Sequence, residues 1–171
     1  IDSGGHNTHA VYSYCRNHAH ANVLAIKGSS KTGEAVLGKP KPMDVNWRGK
    51  SIPRCVKLWA VGTDTAKHLI YGRMRLTAAG PGFVHVPKAY SSTDEFEQMT
   101  AARLLPTVVQ GKRFMRWITP QGKREEAGDC HVYSYAAACY LGIQTFRDPS
   151  WSKREQKFCP AEPDLFGVQT S

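Results

Sequence analysis

Acidic residues at widely separated positions have the types and spacing best suited to chemistry. Asp2 follows the apolar Ile1 and precedes Ser3-Gly4-Gly5. At the end of a strand, a carboxylate in this position projects from the sheet while glycine lets a ligand approach the backbone. The same residues also make an ordinary turn into a helix. A ligand-binding carboxylate and a structural turn therefore remain alternatives for Asp2.

A second acidic pair, Glu126 and Asp129, lies in a segment with helical periodicity, and its spacing of three puts both side chains on one face. Such carboxylates would be costly if left unpaired among alanine, cysteine and tyrosine. A hard divalent cation bound through their oxygens would offset that cost and could organise phosphoryl transfer. Alternatively, these acids and Glu125 complement the positive end of the helix and pair with Lys123 or Arg124.

Asp64 is a third candidate, within the sequence Gly-Thr-Asp-Thr-Ala-Lys at residues 62–67. A helix-capping role explains the residue types well. Contact with a metal or a phosphate is the alternative.

The segments that position these acids alternate between helix and strand, which indicates an α/β architecture. We predict a helix after Thr8, a strand at residues 22–27, a strand at 56–61, a helix capped by Thr63 or Asp64, and a strand at 83–86. Residues 29–53 are rich in glycine, proline and lysine and are predicted to form a mobile basic loop.

The second half of the chain continues with a helix at 94–105, a hairpin around Gly111-Lys112 and an alanine-rich helix at 125–141 that Gly142 ends. After Gln144 the sequence is polar and proline-rich, and we expect a loosely docked or disordered tail. The predicted organisation is one domain at 1–143 and a tail at 144–171.

The composition favours a polyanionic partner. Lys and Arg outnumber Asp and Glu by 23 to 14 in 171 residues, a net charge of +9. The five cysteines form no CxxC pair, which argues against a zinc site or a disulfide framework. No segment approaches the roughly 20 apolar residues of a membrane span, and the first residues are not a signal peptide. Because the turn at Asp2 lacks the strand that should precede it, we expect that an upstream segment has been removed.

Clustered basic residues are the candidates for gripping the phosphates of double-stranded DNA in a salt-dependent way. A solvated lysine-rich face is the alternative. The predicted DNA contacts are Lys27, Lys31, Lys67, Arg113, Arg116, Lys123 and Arg124.

Six sequence blocks, in this order, resemble the lambda-type phage terminase large subunit. They are IDSGGHNT at 1–8, AIKGSS at 25–30, VGTDTAKHLIYGRM at 61–74, PGFVHVP at 81–87, FEQMTAA at 96–102 and REEAGDCHVYSYAA at 124–137. The resemblance spans residues 1–142 and does not extend into the last thirty residues.

The resemblance implies the C-terminal nuclease half of a packaging motor that works in the host cytoplasm. It implies an RNase H-like fold, a mixed central sheet flanked by helices, here lacking its first strands. The implied partners are double-stranded DNA, the small terminase subunit, the portal and procapsid, and an upstream ATPase domain of the same polypeptide. The implied cofactors are two Mg²⁺ or Mn²⁺ ions.

Carried over from the family pattern, the metal-binding and catalytic acids are Asp2, Glu126 and Asp129, with Asp64 as a possible additional acid. Two departures stand out, because Glu125 replaces the usual Asn and Gly128 replaces Leu. Gly in place of Leu weakens a helix by about 1 kcal/mol.

The resulting hypothesis is a two-metal endonuclease that cuts double-stranded concatemeric phage DNA, although a chain without the family's first strands would bind metal weakly and cut poorly. The alternative is a module that binds DNA or docks on the portal without cutting. An enzyme acting on a small phosphorylated substrate ranks last, because the sequence has no glycine-rich phosphate loop of the usual patterns.

Overall fold

The computed structural model describes residues 1–29, 31–87 and 92–159. Its helices are α1 (Thr8–Asn17), α2 (Thr63–Met74), α3 (Thr93–Met99), α4 (Glu126–Tyr140) and α5 (Asp148–Phe158). Its strands are β1 (Ala25–Ser29), β2 (Lys41–Trp47), β3 (Lys50–Gly62), β4 (Arg103–Val109) and β5 (Lys112–Ile118). The chain is thus a mixed α/β protein, as the alternating pattern predicted.

The main sheet has three strands in the order β1-β3-β2. β1 runs parallel to β3, and β2 runs antiparallel to it. Outside β1, the first residues extend the sheet by one parallel bridge between Asp2 and Ile26. The Ser3 amide donates to the Ile26 carbonyl over 2.8 Å, and the Ile26 amide donates to the Ile1 carbonyl over 3.0 Å. These bonds hold Asp2 at the edge of the sheet.

Each face of the sheet carries its own hydrophobic core, because successive side chains of a strand point to opposite faces. On one face, α1 packs over Ala25, Val45 and Val56. On the other, α2 and α4 pack over Val61 and the partly buried Ile26. The site-bearing helices α2 and α4 therefore share one face of the sheet.

The prediction of a mobile loop at residues 29–53 was wrong for its second half, because residues 41–53 form β2, a tight turn and the start of β3. Met43 and Val45 alternate toward the core, with Val45 buried. The turn consists of Arg48 and Gly49, both with positive φ, which suits the two-residue turn of a twisted hairpin. The segment is rich in lysine, glycine and proline, which is typical of a loop. Its sequence therefore did not indicate β2, an edge strand in which only Val45 is buried.

Two other element predictions were wrong. Among the described residues, 83–86 form no strand. Phe83, Val84 and Val86 instead line an apolar cavity together with Met99. The predicted helix at 94–105 ends at Met99, because the following residues pair as β4 with β5. Pairing across the hairpin overrides local helical propensity there.

The remaining elements follow the prediction closely. α2, the β4–β5 hairpin and α4 are present, and the hairpin turn lies at Gln110-Gly111, one residue before the expected position. α5 was not predicted: it lies in the segment expected to be a loosely docked or disordered tail, and it contributes no buried residue. Within the described ranges, none of the helices combines the length and apolar character needed to cross a membrane.

Candidate active site

Asp2 is held by two hydrogen bonds at the sheet edge. The Gly4 amide donates to its Oδ1 over 2.9 Å, and the Tyr133 hydroxyl donates to its Oδ2 over 3.2 Å. The first bond is the Asx turn that the sequence Asp-Ser-Gly allows, and the second comes from α4. Asp2 thus has both the turn role and a direct link to the helix that carries the other acids.

Asp129 lies one helical turn before Tyr133 and on the same face of α4. Burial raises the pKa of its carboxyl group, Lys67 opposes that rise, and the charges of Glu125, Asp2 and Glu126 add to it. An acid that is partly desolvated and surrounded by other acids favours a nearby cation. Asp2 and Asp129 are therefore near enough for their charges to interact, and together they define the candidate site.

Glu126 points away from that site. Its side chain is 65% exposed and pairs with Arg124, whose Nε lies 3.3 Å from Oε2. Backbone hydrogen bonding at the start of α4, with help from Arg124, holds the pKa of Glu126 below its usual value. This arrangement matches the alternative in which an acid complements the helix N-terminus and pairs with a neighbouring arginine.

Glu125, the residue just before α4, faces inward instead. The Lys67 ammonium on α2 lies 2.5 Å from Glu125 Oε1 and 3.8 Å from Asp129 Oδ1. The Thr119 hydroxyl donates to the other oxygen of Glu125. Lys67 therefore joins α2 to Asp129 of α4 and to Glu125, the residue before α4.

Asp64 lies in the first turn of α2 and is mostly buried. No side-chain capping bond forms there; its Oδ2 lies 3.7 Å from Nδ1 of His68 on the same helix. The structure thus associates Asp64 with His68 and does not join it to the Asp2–Asp129 site.

The predicted DNA-contacting residues divide by exposure. Lys31, Lys123 and Arg124 are exposed, and each pairs with an acid. The partner of Lys123 is Glu97, at 3.9 Å. Lys67 is only 12% exposed. The others are Lys27 and Arg113, which are exposed, and Arg116, which is partly buried.

The carboxylate oxygens of Asp2 and Asp129 are the ligand type that Mg²⁺ and Mn²⁺ prefer. Within the residues that the structure describes, however, no group of three or more His, Cys, Asp or Glu side chains is arranged to hold a metal ion. Glu126 is turned outward and Glu125 is engaged by Lys67. The donor chemistry suits a metal, and the arrangement as it stands does not complete a site.

Sequence reasoning did not name three participants: Glu125 as the inward-facing acid, Tyr133 as the partner of Asp2, and Thr119. The sequence could have indicated Tyr133, because it lies four residues after Asp129 on the predicted helix and so on the same face. It could also have indicated Glu125, since an acid there departs from the family pattern. Nothing in the sequence indicated Thr119, which follows β5.

A protein-family model and two curated relatives point to the same family. The family model described as terminase large subunit gpA, endonuclease domain, matches residues 1–151. The chain is 36% identical over 142 residues to the terminase large subunit of Escherichia phage lambda, covering 80% of this chain and 21% of that protein. For the terminase large subunit of Enterobacteria phage P21 the identity is also 36%, over 144 residues, with the same coverages.

The chain spans about a fifth of the length of these curated relatives. No solved structure matches it. The family model covers most of the chain and includes every acid discussed above. On that match, the chain belongs to the endonuclease-domain family of the terminase large subunit gpA.

Proposed function

We propose that this chain is the DNA-cutting part of a packaging terminase, hydrolysing phosphodiester bonds of double-stranded phage DNA with the help of Mg²⁺ or Mn²⁺. The observation that carries the proposal is the convergence of Asp2 and Asp129, which come from the sheet edge and from α4 and are linked through Tyr133. Family membership supports the reaction class.

Asp2 and Asp129 are the acids of this chain that would bind the cations. Two such ions would activate the attacking water and stabilise the leaving oxygen. Glu126 would become a third metal ligand once its side chain leaves Arg124 and turns toward Asp2 and Asp129. Other ligands would come from elsewhere in a polypeptide as long as the relatives. The mixed sheet flanked by helices supports the proposal of an RNase H-like fold.

The chain's own residues would position the DNA by its phosphates. The exposed Lys27 and Arg113 are the simplest candidates, and the net charge of +9 supports a polyanionic substrate. Site selection and assembly would fall to a small terminase subunit, a portal and procapsid, and an ATPase domain, as in the packaging system that the family implies, with the host cytoplasm as the place of action.

The test is cleavage of supercoiled plasmid in Mn²⁺ by the wild-type chain, Asp129→Asn and the control Glu155→Gln. Glu155 is an exposed acid on α5, outside the site. We expect Asp129→Asn to lose cutting while Glu155→Gln keeps it. Equal cutting by all three would remove Asp129 from the mechanism.

A second function, a module that binds DNA or docks on the portal without cutting, is favoured by one observation. The described residues contain no three-residue group arranged to hold a metal ion. If the wild-type chain neither binds Mn²⁺ nor cuts, yet binds duplex DNA with a steep salt dependence, this second function replaces the first.

A further inference from the structure

The Lys67 ammonium occupies the space between two acids of the candidate site. Its Nζ lies 2.5 Å from Oε1 of Glu125 and 3.8 Å from Oδ1 of Asp129. The side chains of Lys67 and Glu125 are only 12% and 14% exposed. Since salt screening is weak for charges shielded from solvent, added salt should weaken this contact less than it weakens a surface ion pair.

The position of Glu125 is held from both sides. Thr119, just after β5, donates its hydroxyl to Oε2 while Lys67 binds Oε1. Lys67 comes from α2, which packs against α4 on the same face of the sheet. The ammonium is thus placed by tertiary packing between separate elements, and it is not a flexible surface group that happens to lie nearby.

The acids around Lys67 favour a positive charge at the position of its ammonium group. The Lys67 ammonium lies beside the carboxyl groups of both Glu125 and Asp129. Its single positive charge offsets part of their negative charge, as a divalent ion bound there would.

We infer that Lys67 is the resident cation of the acidic site and that a divalent ion binding Oδ1 of Asp129 displaces the ammonium from that oxygen. The inference rests on the proposed function for the identity of the incoming ion, and it adds a built-in competitor to that site.

Lysine accessibility in the full chain gives a test without catalysis. Acetylation by an N-hydroxysuccinimide ester, followed by mass spectrometry, should label Lys67 slowly without metal and faster after addition of Mn²⁺. Lys41, an exposed residue of β2, is the internal control and should label equally in both conditions. Unchanged protection of Lys67 at Mn²⁺ concentrations that saturate the protein would overturn the inference.

Calorimetric titration with Mn²⁺ gives the second measurement, on wild type, Lys67→Met and the control Lys41→Met. Losing the competing charge should tighten Mn²⁺ binding by about tenfold in Lys67→Met only. Because Lys67→Met leaves Glu125 without its counter-ion, Lys67→Met/Glu125→Gln is compared with Glu125→Gln alone as well. We expect the double variant to bind Mn²⁺ more tightly than Glu125→Gln.

The outcomes separate the two proposals. Binding by wild type and Lys67→Met with the same affinity overturns the role of Lys67 and leaves the proposed function standing. Binding by Lys67→Met but not by wild type supports the role of Lys67. Absence of binding in every variant counts against both, and plasmid cleavage that does not depend on Asp129 counts against the proposed function alone.

Discussion

The Tyr133 hydroxyl donates a hydrogen bond to Oδ2 of Asp2 across 3.2 Å, joining residues 131 positions apart in the sequence. This contact brings the start of the chain to the face of α4 on which Asp129 lies. Burial and the negative charge of Asp2 both raise the pKa of Tyr133, so the phenol remains a donor at neutral pH. The contact gives the first prediction.

Replacing Tyr133 with Phe should weaken Mn²⁺ binding by about tenfold, because hydrogen bonds that orient metal-binding carboxylates typically contribute that much or more. Tyr133 is a positioning residue in this proposal, so the apparent affinity for Mn²⁺ should change while saturating Mn²⁺ restores cutting. Calorimetry and metal-dependent plasmid cleavage measure the two effects.

Tyr140→Phe is the matched control for Tyr133→Phe, because it removes a hydroxyl from the same helix near Trp59 and outside the site. It should bind Mn²⁺ like wild type. If Tyr133→Phe also binds Mn²⁺ like wild type, the hydrogen bond to Asp2 has no part in metal binding.

Asp129→Asn should be at least as stable as wild type at pH 7 while losing cutting. The pKa of Asp129 is raised above 3.8 by burial, and this net rise already includes the attraction of Lys67. The folded state therefore holds the proton more tightly than the unfolded chain does. The contribution of Asp129 to the free energy of unfolding falls as the pH rises from 3.8 through the raised pKa.

Urea denaturation at successive pH values between acid and neutral measures this contribution. The difference in stability between Asp129→Asn and wild type should grow in favour of the variant as the pH rises through that window. Glu155→Gln should not show the same trend. A variant that is clearly less stable than wild type at pH 7 would contradict the prediction.

Glu125→Gln should lower the free energy of unfolding by about 3 kcal/mol, because it leaves Lys67 partly buried without its nearest acid. Lys67→Met should destabilise the fold similarly by leaving Glu125 unpaired. The double variant should lose less than the sum of the two single losses, since neither charge is then left alone. Chemical denaturation of all four proteins measures this coupling, and strict additivity would show that the two side chains do not interact.

Gly62→Ala should destabilise the chain by about 1–3 kcal/mol, as overpacking commonly does. An added Cβ would lie 2.5 Å from the Ala35 carbonyl oxygen and 2.7 Å from that of Glu34. Because Gly62 precedes α2, the strain should also displace Lys67 and weaken its contact with Glu125.

Gly72→Ala, within α2, is the control for Gly62→Ala, which lies at the end of β3. Its Cβ would meet no atom within 4 Å, so the exchange should stabilise α2 by up to about 1 kcal/mol. Thermal unfolding of the two variants should therefore shift in opposite directions. A loss of stability in both variants would show that the close approach to Glu34 and Ala35 is not what makes alanine costly at Gly62.

The success of sequence-based prediction differed between elements for physical reasons. α4 was predicted closely, because its alanine-rich composition and Gly142 act locally on helix formation and termination. β2 was missed, because an edge strand with polar outer residues resembles a basic loop until its partner β3 is known. α3 was predicted too long for a related reason, since only the pairing of β4 with β5 decides where the helix must stop.

For the site, the sequence by itself determined which acids are available, their helical spacing on α4 and the family to which the chain belongs. Tertiary structure alone decided that Glu126 turns to Arg124, that Glu125 turns to Lys67, and that Tyr133 reaches Asp2. Helical spacing leaves neighbouring acids equivalent until other elements surround them. The direction of each side chain depends on counter-charges and packing supplied by α2, β5 and the sheet edge, which are distant in sequence.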